Sequence, residues 1–152
     1  MVKKPNSDCI VCRKHQGLTD LWGGVIFEDD LIFVSHSQLW GDESDKYLGH
    51  LFIEPKRHVP GLPGLTESEA TSIGIYSSLL ANSLVQTEGV EHVYSFVFGH
   101  DVDHLHIHLI GRYSGAPREY WGTMVDEWPD APRGGEAEVM AVADRIRAFL
   151  QE

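Results

Sequence analysis

The most regular pattern in the chain is His104-Leu105-His106-Ile107-His108-Leu109-Ile110, where polar and apolar residues alternate. Alternation is the period of a β-strand, so the three imidazoles share one face and Leu105, Ile107 and Leu109 the other. At about 3.3 Å of rise per residue the outer histidines lie about 13 Å apart. The apolar face anchors a core. The imidazole face must meet water, metal or substrate, because packed, unpaired imidazoles are costly. Further strands are expected at residues 25–27 and 31–35, joined as a hairpin by Glu28-Asp29-Asp30, at 50–54 before Pro55, and at 93–98. Residues 36–47 read as a loop, and Pro60-Gly61-Leu62-Pro63-Gly64 as a breaker. Thr66-Glu67-Ser68-Glu69 is a capping box that opens a helix over 67–87, with Ile73, Tyr76, Leu80, Ala81 and Leu84 on its buried face and Glu88-Gly89 at its end. Val139, Val142, Ile146, Phe149 and Leu150 form the stripe of a C-terminal helix. Residues 1–7 read as a loose terminus and 113–135 as irregular but packed. The order predicts a single α+β domain with a largely antiparallel sheet.

The chain has 152 residues, enough for a substantial core. It carries no apolar run of membrane-spanning length and no apolar segment near its N-terminus of the kind that marks a secretory signal. A cytoplasmic location is therefore expected. The net charge of −11 argues against broad binding to a nucleic-acid polymer, but not against a small phosphorylated ligand held by local groups. The two cysteines form Cys9-Ile10-Val11-Cys12. In a reducing compartment this spacing points to half of a metal site, a redox pair, or two reduced thiols.

A row of imidazoles serves two chemistries. Three neutral imidazoles can hold one metal ion. Alternatively, one imidazole attacks phosphorus while a neighbour helps the leaving group depart, roles suited to a pKa near neutrality. The run resembles the signature of the histidine triad (HIT) superfamily, His-φ-His-φ-His-φ-φ with φ apolar, at all seven positions. The element order resembles the HIT core over about residues 9–112, leaving 113–152 as an irregular tail and a helix. The resemblance implies a HIT-like fold: an antiparallel sheet of about five strands, one long helix and a C-terminal helix.

The resemblance also implies a function. His106 would be the nucleophile, attacking the α-phosphorus of a nucleoside phosphate to form a nucleotidyl-histidine that water resolves. His108 would contact the phosphate and leaving group, and His104 would orient the nucleophile through its backbone. Dinucleoside polyphosphates and nucleoside phosphoramidates are the implied substrates. Ile10 and Val11 match residues lining the base pocket, and Ser37 falls where the family usually has a ribose-binding Asp. His100 and Asp101 stand where Gln and Ser or Thr are usual. An ionised Asp101 cannot donate to a phosphate, which alters the leaving-group preference. It also leaves a second reading, a zinc-stabilised nucleotide-binding module with little turnover; a metalloenzyme using the triad as ligands is a third. His50-Leu51-Phe52-Ile53-Glu54-Pro55-Lys56-Arg57-His58 resembles a second family segment. With the Cys-x-x-Cys it implies a structural zinc on Cys9, Cys12, His58 and His104, with His15 a rival ligand. In the tail, Arg112 and Arg118 are candidates for distal phosphates and Tyr120 or Trp121 for a base. A homodimer through the long helix and the strand at 93–98 is also implied, and an open edge so rich in Val, Tyr and Phe would otherwise invite aggregation.

Overall fold

The computed structural model describes residues 8–152; the loose terminus expected at 1–7 lies outside the described residues. In chain order the elements are α1 (Ile10–His15), β1 (Phe27–Glu28), β2 (Ile32–His36), β3 (Lys46–Tyr47), β4 (His50–Pro55), α2 (Glu67–Glu88), β5 (His92–Phe96), β6 (Ile107–Arg112), β7 (Arg133–Gly134) and α3 (Glu136–Leu150). Five strands form one antiparallel sheet in the order β1-β2-β4-β6-β5, and β3 pairs with β7. The α+β class and the five-stranded antiparallel sheet are as expected. No helix among the described residues is long and apolar enough to cross a membrane.

The strand period decides what each face of the sheet meets. Val34 of β2, Leu51 and Ile53 of β4, and Ile107 and Leu109 of β6 enter one apolar core with Leu80 and Leu84 of α2 and Val142 and Ile146 of α3. On the opposite face, β4 presents His50, Phe52 and Glu54 and β6 presents His108. Cross-strand pairing sets Phe52 opposite His108 and Phe96 on its other side. Every residue of β2 is buried, because helices cover one face of the central strands and the N-terminal arm the other: Phe33 stacks on His15 at 4.5 Å.

Local chemistry fixes the long helix. Thr66 Oγ1 accepts from the Glu69 N–H and Glu69 Oε1 from the Thr66 N–H, so two end donors are satisfied reciprocally. Arg57, just beyond β4, donates to both Glu69 oxygens and ties the helix start to the sheet. Gly89 ends the helix at φ 71°, a conformation open to glycine at little cost.

Several boundaries differ from expectation. α1 lies in a stretch too short and polar to show a helical stripe. β1 begins at Phe27 rather than Val25. β3 falls inside the expected loop, because the tail returns as β7 to pair with it. The expected strand at 104–110 enters the ladder only at Ile107: the Leu105 N–H donates to Val59 O at 2.7 Å instead of to a strand, and His104 turns toward the arm.

Candidate functional site

Two adjoining constellations occupy the face opposite the helices. The first lies between α1 and the chain entering β6. Cys9 is the N-cap of α1 and Cys12 lies three residues on, so both thiols point to the same side. His58 arrives just after β4, and His104 just before β6. One ligand atom from each of the four lies within 4.8 Å of every other, and all four residues are buried. His104 Nδ1 is 3.5 Å from each Sγ, and His58 Nδ1 is 3.3 Å from Cys12 Sγ. A tetrahedral ion with the usual Zn–S and Zn–N lengths sets S···N separations at about 3.6 Å. The donor set therefore fits such an ion. His104 Nε2–H donates to Pro55 O at 2.8 Å, leaving the Nδ1 lone pair toward the thiols. His15, the rival ligand, turns away to Glu54 Oε1 at 3.0 Å.

The second constellation is the triad. His106 Nδ1–H donates to the His104 carbonyl at 2.8 Å; a carbonyl only accepts, so the lone pair belongs to Nε2. His104 thus presents its ring to the metal cluster and its carbonyl to His106. Phe52 packs edge-on against both His106 and His108, with centroids 5.6 and 4.8 Å apart. His108 Nδ1 is hydrogen-bonded to His50 Nε2 at 2.9 Å, while His108 Nε2 is buried without a partner among the described residues. Burial, aided by repulsion from His106, pulls His108 down to about 4, so it is neutral at physiological pH.

His106 and His108 line a cleft of about 660 Å³, within the range of small-ligand sites. Ile10, Val11, His100 and Asp101, all expected site residues, line it too, and so does Phe98, which sequence did not single out. Val102 packs on Val11 and both cysteines, seating the loop before the triad on the arm. Ser37 is the exception. The residue is 1% exposed, it does not line the cleft, and its Oγ has no partner among the described residues. The chain passes one residue too far, and the adjacent Gln38 reaches the cleft instead, its amide pinned to both backbone groups of Trp22.

The tail residues also serve elsewhere. Arg112 donates to Tyr94 and Glu91 and stacks on Trp121 at 3.6 Å, and Arg118 stacks on the same ring at 4.4 Å. Arg112, Arg118, Tyr120 and Trp121 do not line the cleft; the arginines are occupied in holding the tail to the sheet.

Sequence reasoning passed over three groups. His50 supports His108 from behind, a contact visible only once β4 and β6 are paired. His36, at the end of β2, is fully buried; its Nδ1–H donates to Ser37 O and its Nε2 accepts the Gly49 N–H at 3.1 Å. Gly49 has φ 87°, so this bond secures a left-handed turn next to His50. Glu54, 1% exposed, accepts from Lys14 at 2.8 Å and from His15. Burial alone would raise that carboxyl; Lys14 and His15 more than offset it, and it lies below the usual carboxylate range.

Comparison with known proteins agrees with this architecture. The family model described as HIT domain matches residues 24–115. A Hit-like protein from Bartonella henselae, described as involved in cell-cycle regulation, superposes with a TM-score of 0.70 at 15% identity, covering 97% of this chain and 99% of its own. A zinc-bound histidine triad family protein from Mycobacterium smegmatis gives 0.67 at 16% identity, covering 95% and 94%. A histidine triad protein from Sinorhizobium meliloti gives 0.65 at 24% identity, covering 82% and 87%. With the family model spanning more than half of the sequence and the triad strand at the floor of the cleft, the chain belongs to the HIT domain family.

Proposed function

We propose that the protein is a nucleotide hydrolase or transferase acting at the α-phosphorus of a nucleoside phosphate through a nucleotidyl-histidine intermediate. The observation that carries this reading is the His106–His104 hydrogen bond, which fixes the Nε2 lone pair on an imidazole lining a nucleotide-sized cleft. In the first step a bond forms from His106 Nε2 to phosphorus and the bond from phosphorus to the leaving group breaks. Neutral His108 donates a hydrogen bond from its Nε2–H to the departing atom, which takes its proton from water. His108 Nδ1 accepts from His50, which keeps the proton on Nε2, the nitrogen that lacks a partner among the described residues. In the second step water bonds to phosphorus and releases a proton to solvent, the N–P bond breaks with its electron pair returning to His106 Nε2, and a nucleoside monophosphate leaves. Ile10, Val11 and Phe98 supply apolar contact for the base.

We assign zinc to Cys9, Cys12, His58 and His104, on the chemistry of two thiolates and two imidazoles and on the zinc-bound relative. Its role is structural: it ties α1, which carries Ile10 and Val11, to the strand that carries His106. The protein works as a cytoplasmic homodimer. Ile75, Leu79 and Val85 on α2 and Val97 beyond β5, all exposed in the single chain, form part of the joining surface.

The test is hydrolysis of a panel of dinucleoside polyphosphates and nucleoside phosphoramidates in ¹⁸O-water. Attack at the α-phosphorus predicts label in the nucleoside monophosphate alone. Label in the leaving group would place attack elsewhere and refute the reading. Tight binding of nucleotides with no turnover of any panel member would favour the binding module, in which the Asp101 carboxylate replaces a donor.

A further inference from the structure

The cleft holds little fixed positive charge for a site that takes phosphates: two lysines against five carboxylates, a net −3 before its imidazoles are counted. The two lysines are not equivalent. Lys46 Nζ is chelated by both oxygens of Glu43, at 2.9 and 3.1 Å. Lys14 Nζ contacts a single oxygen, Glu54 Oε2, at 2.8 Å. An ammonium carries three N–H groups. Two of those on Lys14 therefore have no acceptor among the described residues, although the side chain is only 9% exposed. Lys14 lines the cleft, so these N–H groups are available to whatever occupies it.

The location of this ammonium is informative. It lies over the Phe52 ring, 5.3 Å from the centroid, and that ring is the one that touches both His106 and His108. It extends from α1, beside Cys12, and so shares the element that brings Ile10 and Val11 to the cleft. Glu54 is held a second time by His15, so the carboxylate is the fixed member of the pair and the four-carbon lysine stem the adjustable one.

We propose that Lys14 is a phosphate-binding residue of the cleft, anchored to Glu54 by one N–H and offering its other two to a non-bridging oxygen of the nucleotide. This rests on the nucleotide reading above and adds to it a cation from outside the triad. Glu54 orients the ammonium and opposes the phosphate charge. The two partners of one ion pair therefore have opposite effects on nucleotide affinity, which a purely structural ion pair does not produce.

The experiment measures binding of matched nucleosides and nucleoside 5′-monophosphates to metal-loaded protein by calorimetry, with metal content and melting temperature determined for each variant. Lys14→Met should weaken the monophosphate by about 10- to 100-fold, the worth of one charge-assisted hydrogen bond, and leave the nucleoside within about twofold. Lys14→Arg should retain most of the affinity, and Glu54→Gln should hold or tighten it. Unchanged monophosphate binding in Lys14→Met, or equal loss of nucleoside and monophosphate, overturns the proposal. So does a Glu54→Gln loss as large as that of Lys14→Met. Should Lys14→Met release the metal, the other two variants decide by the same criteria. A wild-type protein that binds no monophosphate better than its nucleoside refutes the nucleotide reading itself, a result distinct from a failure at Lys14.

Discussion

His36 gives a prediction whose size follows from the structure. It is fully buried and neutral, with one ring nitrogen donating and the other accepting. Burial is the main cause that lowers it from 6.5 to about 4; the hydrogen bond to Ser37 and the Glu88 charge oppose this, and Lys46 adds to it. The sign follows from linkage. Above pH 6.5 the residue is neutral whether the chain is folded or not, and it has no effect on pH dependence. Between 6.5 and 4 only the unfolded chain takes up the proton, so stability falls as the pH falls. Proton linkage at this one group removes about 1.4 kcal/mol by pH 5.5 and about 2.6 kcal/mol by pH 4.5, at 1.36 kcal/mol per unit. His36→Gln should be less stable at pH 7.5, because the Gly49 N–H or the Ser37 carbonyl loses a well-placed partner, yet its stability should vary less with pH. Urea midpoints at pH 7.5, 5.5 and 4.5 for both proteins, converted with the common m-value, give the difference directly. Parallel pH profiles would refute the assignment of a buried neutral imidazole. The same variant should lower turnover, since Gly49 precedes the histidine that supports His108.

Three further outcomes are expected. Cys12→Ser should lose the metal, read by elemental analysis, and melt well below wild type, because Cys12 is 2% exposed and lies within 3.5 Å of both imidazole ligands; full metal content in the variant would contradict the ligand set. His50→Phe should keep the fold and slow turnover by about 10-fold, the worth of the hydrogen bond that orients His108, with a smaller effect on nucleotide binding; an unchanged kcat would remove His50 from the positioning of His108. Sedimentation should give twice the chain mass at micromolar concentration, and Leu79→Glu, at an exposed apolar position of α2, should return it to the single-chain mass; a wild-type monomer would refute the dimer.

Much of the fold was legible because it rests on two periods. The alternation around His106 located β6, which begins at Ile107, and the capping box at Thr66 located the long helix to within a residue at its far end. The residues that sequence left obscure depend on pairing. His50 has no local signal; it matters because β4 lies beside β6 and puts Phe52 opposite His108. Ser37, placed by counting forward without a gap, lies just past β2 and outside the cleft lining, which its neighbour Gln38 enters. Arg112 and Arg118 have the chemistry of phosphate ligands, but Trp121 and Tyr94 are nearer than the cleft and satisfy them first. The helix α1 is too short to show an apolar stripe; besides its Cys9 N-cap it depends on tertiary contacts, the metal-type donor set and the Lys14–Glu54 pair.

The central claim is a covalent bond to one imidazole nitrogen. The most direct measurement is the intact mass of the protein after rapid quenching during turnover of the best panel substrate, under alkaline denaturing conditions that preserve phosphoramidates, followed by peptide mapping. Wild-type protein should gain the mass of one nucleotidyl group on the peptide holding His106, and His106→Ala should gain none and lose turnover. Turnover at the wild-type rate by His106→Ala would contradict the covalent mechanism.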